Sequence, residues 1–375
     1  MFANHFFNWV NQLKDAGHEV FWIDIFDNGT NVDKINWVHQ TVNWKRKFNY
    51  PGRESLKKNF PKIYKEVQSF NDRKLSEIFE EKIKEIQPDV VQSFVLFSAC
   101  APILEVMNKY PNLKWIYSAW GNDLFYFQNE PTYLIDIKKV LPRVDYMYAD
   151  CARDYEIAKK HGFNGTFLGV YPTGGGYEFD LENEIWPVSD RNFILIKGYQ
   201  NLFGECIPVL KAVQEIKNEL EDFKIIVFGA EQQTVEYVEK SDLVNYTNFT
   251  LLKNVGRGEL MKFMGKSLIY IGNSISDGMP NTLLESIIMG VFPIQSNPGG
   301  ATAELIDHQK NGFLIKDSLD VSEIKSLILK AINNKAFLAK AVEFNFKQIK
   351  PKLEREFVRQ EVLKKYSLIE KAIKS

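Results

Sequence analysis

The sequence predicts an α/β chain of two domains, each built on a parallel sheet. Three observations carry that expectation. Short apolar runs alternate with amphipathic helical stretches through both halves. The length of 375 residues exceeds what one ordinary core organises. Between Leu268 and Gly300 a strand, a turn, a helix and a second strand follow in so short a span that they form one βαβ unit, which makes the two strands parallel.

Composition narrows the function classes. Hydrophobic residues at 45% and charged residues at 25% match a folded globular chain. The net charge of -1 offers no overall field to draw nucleic acid, so no nucleic-acid partner is expected. Cys100, Cys151 and Cys206 lie far apart, and the five histidines lack metal-ligand spacing. Neither a disulfide framework nor a bound metal is expected. With no signal peptide and no apolar run long enough to span a bilayer, the expected location is the cytoplasm.

The first half reads in order as follows. Met1 to Ala16 is apolar at helical spacing through Phe2, Phe6, Trp9, Val10 and Leu13; Gly17 stops it, and Val20 to Ile25 reads as a strand. Trp44 to Lys65 sets Lys45, Arg46, Lys47, Arg53, Lys57, Lys58, Lys62 and Lys65 against one acid, Glu54, with Trp44, Phe48, Tyr50, Phe60 and Tyr64 interleaved. Two readings stay open. One is a patch that meets an anionic membrane or a lipid-linked acceptor, holding the protein peripherally at the inner face. The other is a solvated basic face over buried aromatics.

Leu75 to Ile86 predicts an amphipathic helix, Asp89 to Phe94 a strand, Ala99 to Lys109 a helix and Lys114 to Ser118 a strand. The last runs into Ala119-Trp120-Gly121-Asn122-Asp123. Ligands collect beyond the carboxyl ends of strands in an open α/β sheet. Asp123 is therefore a candidate to orient or deprotonate an acceptor hydroxyl; the alternative is a helix cap, with Trp120 in the core. A strand at Val144 to Ala149, a helix at Ala152 to Lys160 and a strand at Gly165 to Leu168 follow. The glycine-rich run Gly169 to Gly176 reads as an interdomain linker rather than a phosphate loop, because no helix follows it directly. These signals divide the chain into 1–172, 173–352 and a C-terminal helix at 353–375.

In the second half, Phe193 to Lys197 is a strand leading to Gly198 and a helix that runs through Leu220. Strands at Phe223 to Phe228 and Thr250 to Lys253 come next; Asn254 follows the latter, and Arg257 precedes a helix at Glu259 to Met264. The βαβ unit then places Asp277-Gly278-Met279-Pro280-Asn281 as the turn and Thr282 to Met289 as the helix, stopped by Gly290. The amides of Asn281, Thr282 and Leu283 sit at the positive end of that helix without intrahelical acceptors, a site suited to a diphosphate. Glu285, one turn in, can accept from vicinal hydroxyls such as those of a ribose. Asp277 flanks the cradle from the loop. Taken alone, the two acids also fit a capped turn and a solvated helix residue.

The segment Asp277, Glu285, Gly290, Pro293, Gly299-Gly300, Glu304 resembles the signature of the retaining glycosyltransferases of family four, which have the GT-B fold: two Rossmann-like domains facing a cleft. Seven residues separate the two acids, as in the family, but Asp277 stands where Glu is usual. The resemblance extends to Gly17-His18-Glu19-Val20, to Gly121-x-Asp123 and to the Gly169-Val170 turn. It implies transfer of a hexosyl unit from a nucleotide-diphospho-sugar to a glycan or lipid-linked hydroxyl acceptor, with retention and without a metal or other cofactor, in surface glycan or polysaccharide synthesis. It implies that Asp277 contacts the donor sugar, that Glu285 holds the ribose, and that Gly198 and Asn254 lie along the nucleotide. Two departures stand out. The strand expected before the first helix, with its glycine loop, is missing: either the first sheet lacks its usual first strand, or, the reading we favour, the start is trimmed or its start codon assigned too late. The Arg and Lys that grip the diphosphate in relatives are Tyr199 and Phe203 here, leaving Lys197 as the candidate substitute and Arg257 as a further cation. A nucleotide-sugar-binding subunit with little turnover is the alternative reading.

Overall fold

The computed structural model describes residues 4–374. Phe2, part of the predicted first helical stripe, lies outside the described residues. Helix α1 (Asn4–Asn11) ends before the predicted Ala16 in a series of turns in which Asp15 and Gly17 take positive φ. Strands β1 (Phe21–Ile23) and β2 (His39–Thr41) pair in parallel as a sheet of their own. Helices α2 (Arg53–Asn59) and α3 (Pro61–Asn71) form the basic segment, and α4 (Leu75–Ile86) returns to the lobe.

A four-stranded parallel sheet follows, in the order β3 (Val90–Phe94), β4 (Lys114–Ala119), β5 (Tyr146–Ala149), β6 (Thr166–Val170). Helices α5 (Leu104–Lys109), α6 (Pro131–Val140) and α7 (Ala152–Lys160) connect its strands. The predicted helix at Ala99 to Lys109 is regular only in its second half, because Ala101-Pro102 interrupts it with a tighter turn. Trp115, Tyr117, Met147 and Ala149 are buried between the sheet and α4 to α6. Among the described residues no strand joins β1 to β3. The two face a cavity of about 1150 Å³, lined by Phe21, Trp22 and Ile23 on one side and Val90 to Val95 on the other.

The second lobe holds a six-stranded sheet in the order β12-β11-β10-β7-β8-β9, every pair parallel. Its elements are β7 (Phe193–Lys197), α8 (Cys206–Glu215), β8 (Lys224–Phe228), α9 (Gln232–Glu239), β9 (Phe249–Leu252), α10 (Arg257–Lys266), β10 (Ser267–Gly272), α11 (Asn281–Ile288), β11 (Phe292–Ser296) and β12 (Phe313–Ile315). Every residue of β10 and β11 is buried, as expected for inner parallel strands covered on both faces. The predicted βαβ unit is β10–α11–β11. Gly290, at φ 66°, ends its helix with Phe346 so close that a Cβ would stand 2.7 Å from that ring.

Helices α12 (Val321–Ile332), α13 (Lys335–Gln348), α14 (Lys350–Leu353) and α15 (Arg355–Lys374) complete the chain. The glycine run at the crossing between lobes is packed rather than loose. Gly175 and Gly176 have positive φ, and a Cβ on them would stand 2.7 Å from Gln12 and 2.8 Å from the Arg355 backbone. Helix α15 then lies on the first lobe: Val358, Val362, Tyr366 and Ile369 share a cluster with Trp9, Ile116, Tyr148 and Leu168.

Candidate active site between the lobes

The large cavity continues from the β1–β3 gap to the meeting point of the lobes. There it is lined by Gly121 and Asp150 from the first sheet and by Lys197, Asp277, Asn281, Thr282 and Glu285 from the second. The amino end of α11 therefore opens into the cavity. The Asn281 side chain is fixed by Tyr177 and Thr173 at 2.6 and 3.0 Å, and the Thr282 hydroxyl lies 2.9 Å from that of Tyr270. Leu283 departs from expectation: its amide donates to the Pro280 carbonyl at 3.0 Å, because the first turn tightens onto the cap residue. Among the described residues the amides of Asn281 and Thr282 have no such acceptor.

Two charge pairs flank this helix end. The Lys197 ammonium lies 3.8 Å from the Asp277 carboxylate and 4.6 Å from the centre of the Tyr199 ring. A cation held between a carboxylate and an aromatic face is kept aimed into the cleft. On the other side Arg257 donates to Glu285 at 3.0 Å. Burial raises the Glu285 pKa above the usual carboxylate value, and the guanidinium opposes that rise. Arg257 itself is more than half exposed, so a ligand hydroxyl can reach Glu285 without displacing a core group.

Three predicted site residues do not converge here. Gly198 has its N–H bonded to Phe228 at 2.7 Å and its carbonyl engaged by Glu231 and Thr234; it is glycine because a Cβ would stand 2.8 Å from the Ala230 backbone. Asn254 is exposed on the loop after β9. Asp123 is buried at 3% exposure. Both of its oxygens take the Leu96 amide, at 2.7 and 3.0 Å, and the Tyr117 hydroxyl donates to it as well. Burial moves its pKa up to about 7. It orders the turn after β3 and does not face the cleft. Trp120 packs between Trp9 and Phe94.

Sequence reasoning missed the charged joint beneath the cleft. Asp150, one residue past β5, accepts from the Gly121 amide at 2.8 Å and presses against Gly278, where a Cβ would come within 2.3 Å of its carboxylate. Arg153 pairs with the fully buried Asp154 at 2.8 Å, and Glu304 of the second lobe caps the start of α7. A charged residue just beyond a predicted strand end was the available signal. Asp150, Cys151 and Asp154 place ligand atoms within 4.8 Å of one another. Burial, however, pushes the Cys151 thiol well above its ordinary pKa, and metals take the thiolate. This set fits a metal poorly.

Residues 205–348 match the family described as glycosyl transferases group 1. No curated protein matches the chain in sequence. Among solved structures, it is similar to sucrose-phosphate synthase from Thermosynechococcus elongatus, with a TM-score of 0.69 and 14% identity over 96% of this chain and 92% of that one. A glycosyltransferase from Rickettsia africae gives a TM-score of 0.66 at 14% identity over 98% and 94%. Anabaena HepE, solved with UDP and glucose, gives 0.66 at 13% identity over 97% and 96%. At such identities the likeness is one of fold, and the fold is GT-B.

Proposed function

From a group 1 glycosyltransferase domain carried in a GT-B fold, we propose that this protein transfers a hexosyl unit from a nucleotide-diphospho-sugar to a hydroxyl acceptor, with retention at the anomeric carbon. The observation that carries the reading is the free amino end of α11 opening into the interlobe cavity between the pairs Lys197–Asp277 and Arg257–Glu285.

The roles follow from chemistry. The amides of Asn281 and Thr282, with the helix dipole, receive the diphosphate. Lys197 neutralises charge on it as the glycosidic bond breaks. Glu285, held by Arg257, accepts from the ribose hydroxyls, and Asp277 contacts the donor sugar. No residue is assigned as a covalent nucleophile. In the proposed front-face displacement, the acceptor oxygen bonds to the anomeric carbon on the side that the diphosphate leaves, and its proton passes to a leaving phosphate oxygen. The protein contributes positioning and charge stabilisation. Lys197 and the helix end would carry the phosphate charge without a divalent ion. Surface glycan or polysaccharide synthesis, carried out in the cytoplasm, is the setting we propose, by likeness to the family alone.

Tyr199 and Phe203, in place of the expected cation pair, favour a second reading: a nucleotide-sugar-binding subunit with little turnover. In the fold Phe203 packs on Tyr126 across the lobes, with ring centres 4.9 Å apart, which gives it work that does not involve phosphate. Calorimetry with UDP and GDP followed by a nucleotide-release assay over a panel of nucleotide-sugars separates the two. Binding with release supports transfer; binding without release, even with cell extract supplying acceptors, supports the binding subunit; no binding of either nucleotide overturns both.

A further inference from the structure

The basic segment between Lys45 and Asn71 stands out from the first lobe as a two-helix projection. Its base is tied by Asn71, whose side chain accepts from the Phe48 amide and donates to the Phe48 carbonyl, each at 2.8 Å. Trp44 marks the inner end: it is buried, and its indole donates to the Asp24 carbonyl at 2.7 Å. Beyond that base the projection has no core of its own. Helix α2 has no buried residue, and the one buried residue of α3 is Asn71.

The apolar side chains of α3 are nevertheless in register. Ile63, Val67 and Phe70 recur at helical spacing on one face and are 51%, 38% and 80% exposed; Phe48 and Phe60 add 72% and 58%. Such a stripe ordinarily seats a helix on its own protein. Here it faces water, in a segment whose charge is mostly positive. Residues 45–71 hold eight Lys and Arg against Glu54 and Glu66, a local charge of +6 in a chain whose net charge is -1. A second copy of the same face would be repelled by that charge.

We propose that this face docks on an anionic lipid bilayer, with Ile63, Val67 and Phe70 entering the boundary between headgroups and acyl chains while the surrounding lysines meet the lipid phosphates. The contact is independent of the transfer reading. It would hold the first lobe at the membrane surface, where a lipid-borne acceptor would be presented.

The test is flotation of the full chain with phosphatidylcholine vesicles, with and without phosphatidylglycerol. The protein is expected to float with the anionic vesicles alone and to be released by salt. The triple variant Ile63→Ser, Val67→Ser, Phe70→Ser and the charge variant Lys57→Glu, Lys58→Glu, Lys62→Glu should each lower partitioning by roughly tenfold or more. Their melting temperatures and UDP or GDP affinities should stay unchanged, since the altered side chains are exposed. A wild-type chain that does not float, or a triple variant that floats like wild type, overturns the proposal. So does a dimer, seen by sedimentation, that the triple variant dissolves. Wild type that binds nucleotide but ignores anionic vesicles sinks the docking face and leaves the transfer reading standing.

Discussion

Glu304 and Arg153 clasp the two lobes at one point. The Glu304 carboxylate takes the backbone amide of Arg153 at 2.8 Å and that of Ala152 at 2.6 Å. The Arg153 guanidinium reaches back to the carbonyls of Asp277 and Pro298 at 2.9 and 2.8 Å. The loop that carries Asp277 is thus held from below by the opposite lobe.

Removing the cation should cost more than removing the acid. Arg153→Met leaves the fully buried Asp154 without its partner, beside Asp150. A loss of about 3–5 kcal/mol is expected on breaking such a pair. Glu304→Ala removes a cap from α7, and about 1 kcal/mol is expected. Urea unfolding measures both, and equal losses would contradict the assignment.

Lys197→Ala should weaken UDP or GDP, whichever binds tighter, by roughly ten- to a hundredfold, the range for a hydrogen bond to a charged group. The matching nucleoside, which lacks phosphates, should lose little. Calorimetry on the pair reads this directly, and parallel losses would place Lys197 on the base or ribose instead.

Asp123→Asn should keep turnover while changing the pH dependence of stability. With its folded pKa raised to about 7 by burial, Asp123 holds a proton in the folded chain that the unfolded chain has already released. Its contribution is therefore present at low pH and is lost as pH rises from about 4 towards 7. The Asn variant should flatten that decline and melt no lower than wild type at pH 8. A large loss of turnover in a folded variant would return Asp123 to the chemistry.

The legible parts of the sequence were those where one local pattern suffices. Continuous apolar runs fixed β10 and β11, and Gly290 fixed the end of α11. The turn residues Asp277 to Asn281 marked, to within one residue, the helix start that opens into the cavity. What stayed hidden depends on distant neighbours. Asp123 looked like a cleft residue because it follows a strand end, yet Tyr117 and Leu96 draw it inward. Gly198 was expected along the nucleotide from the resemblance, yet its N–H bonds Phe228 and its carbonyl takes Glu231 and Thr234. Arg153 and Glu304 are 151 positions apart, and no spacing rule connects them. In the basic segment the aromatic spacing did not tell core from surface: Trp44 is buried, while Phe48 and Phe60 are exposed.

The most direct test of the site is calorimetry of Glu285→Ala with UDP and GDP. If Glu285 reads the ribose beside the open end of α11, wild type binds one of these nucleotides, and the variant loses that binding by at least about tenfold while its melting temperature holds, as expected when a charge-assisted hydrogen bond is removed. A folded variant that binds the nucleotide as tightly as wild type would contradict the assignment of this cleft to a nucleotide-sugar.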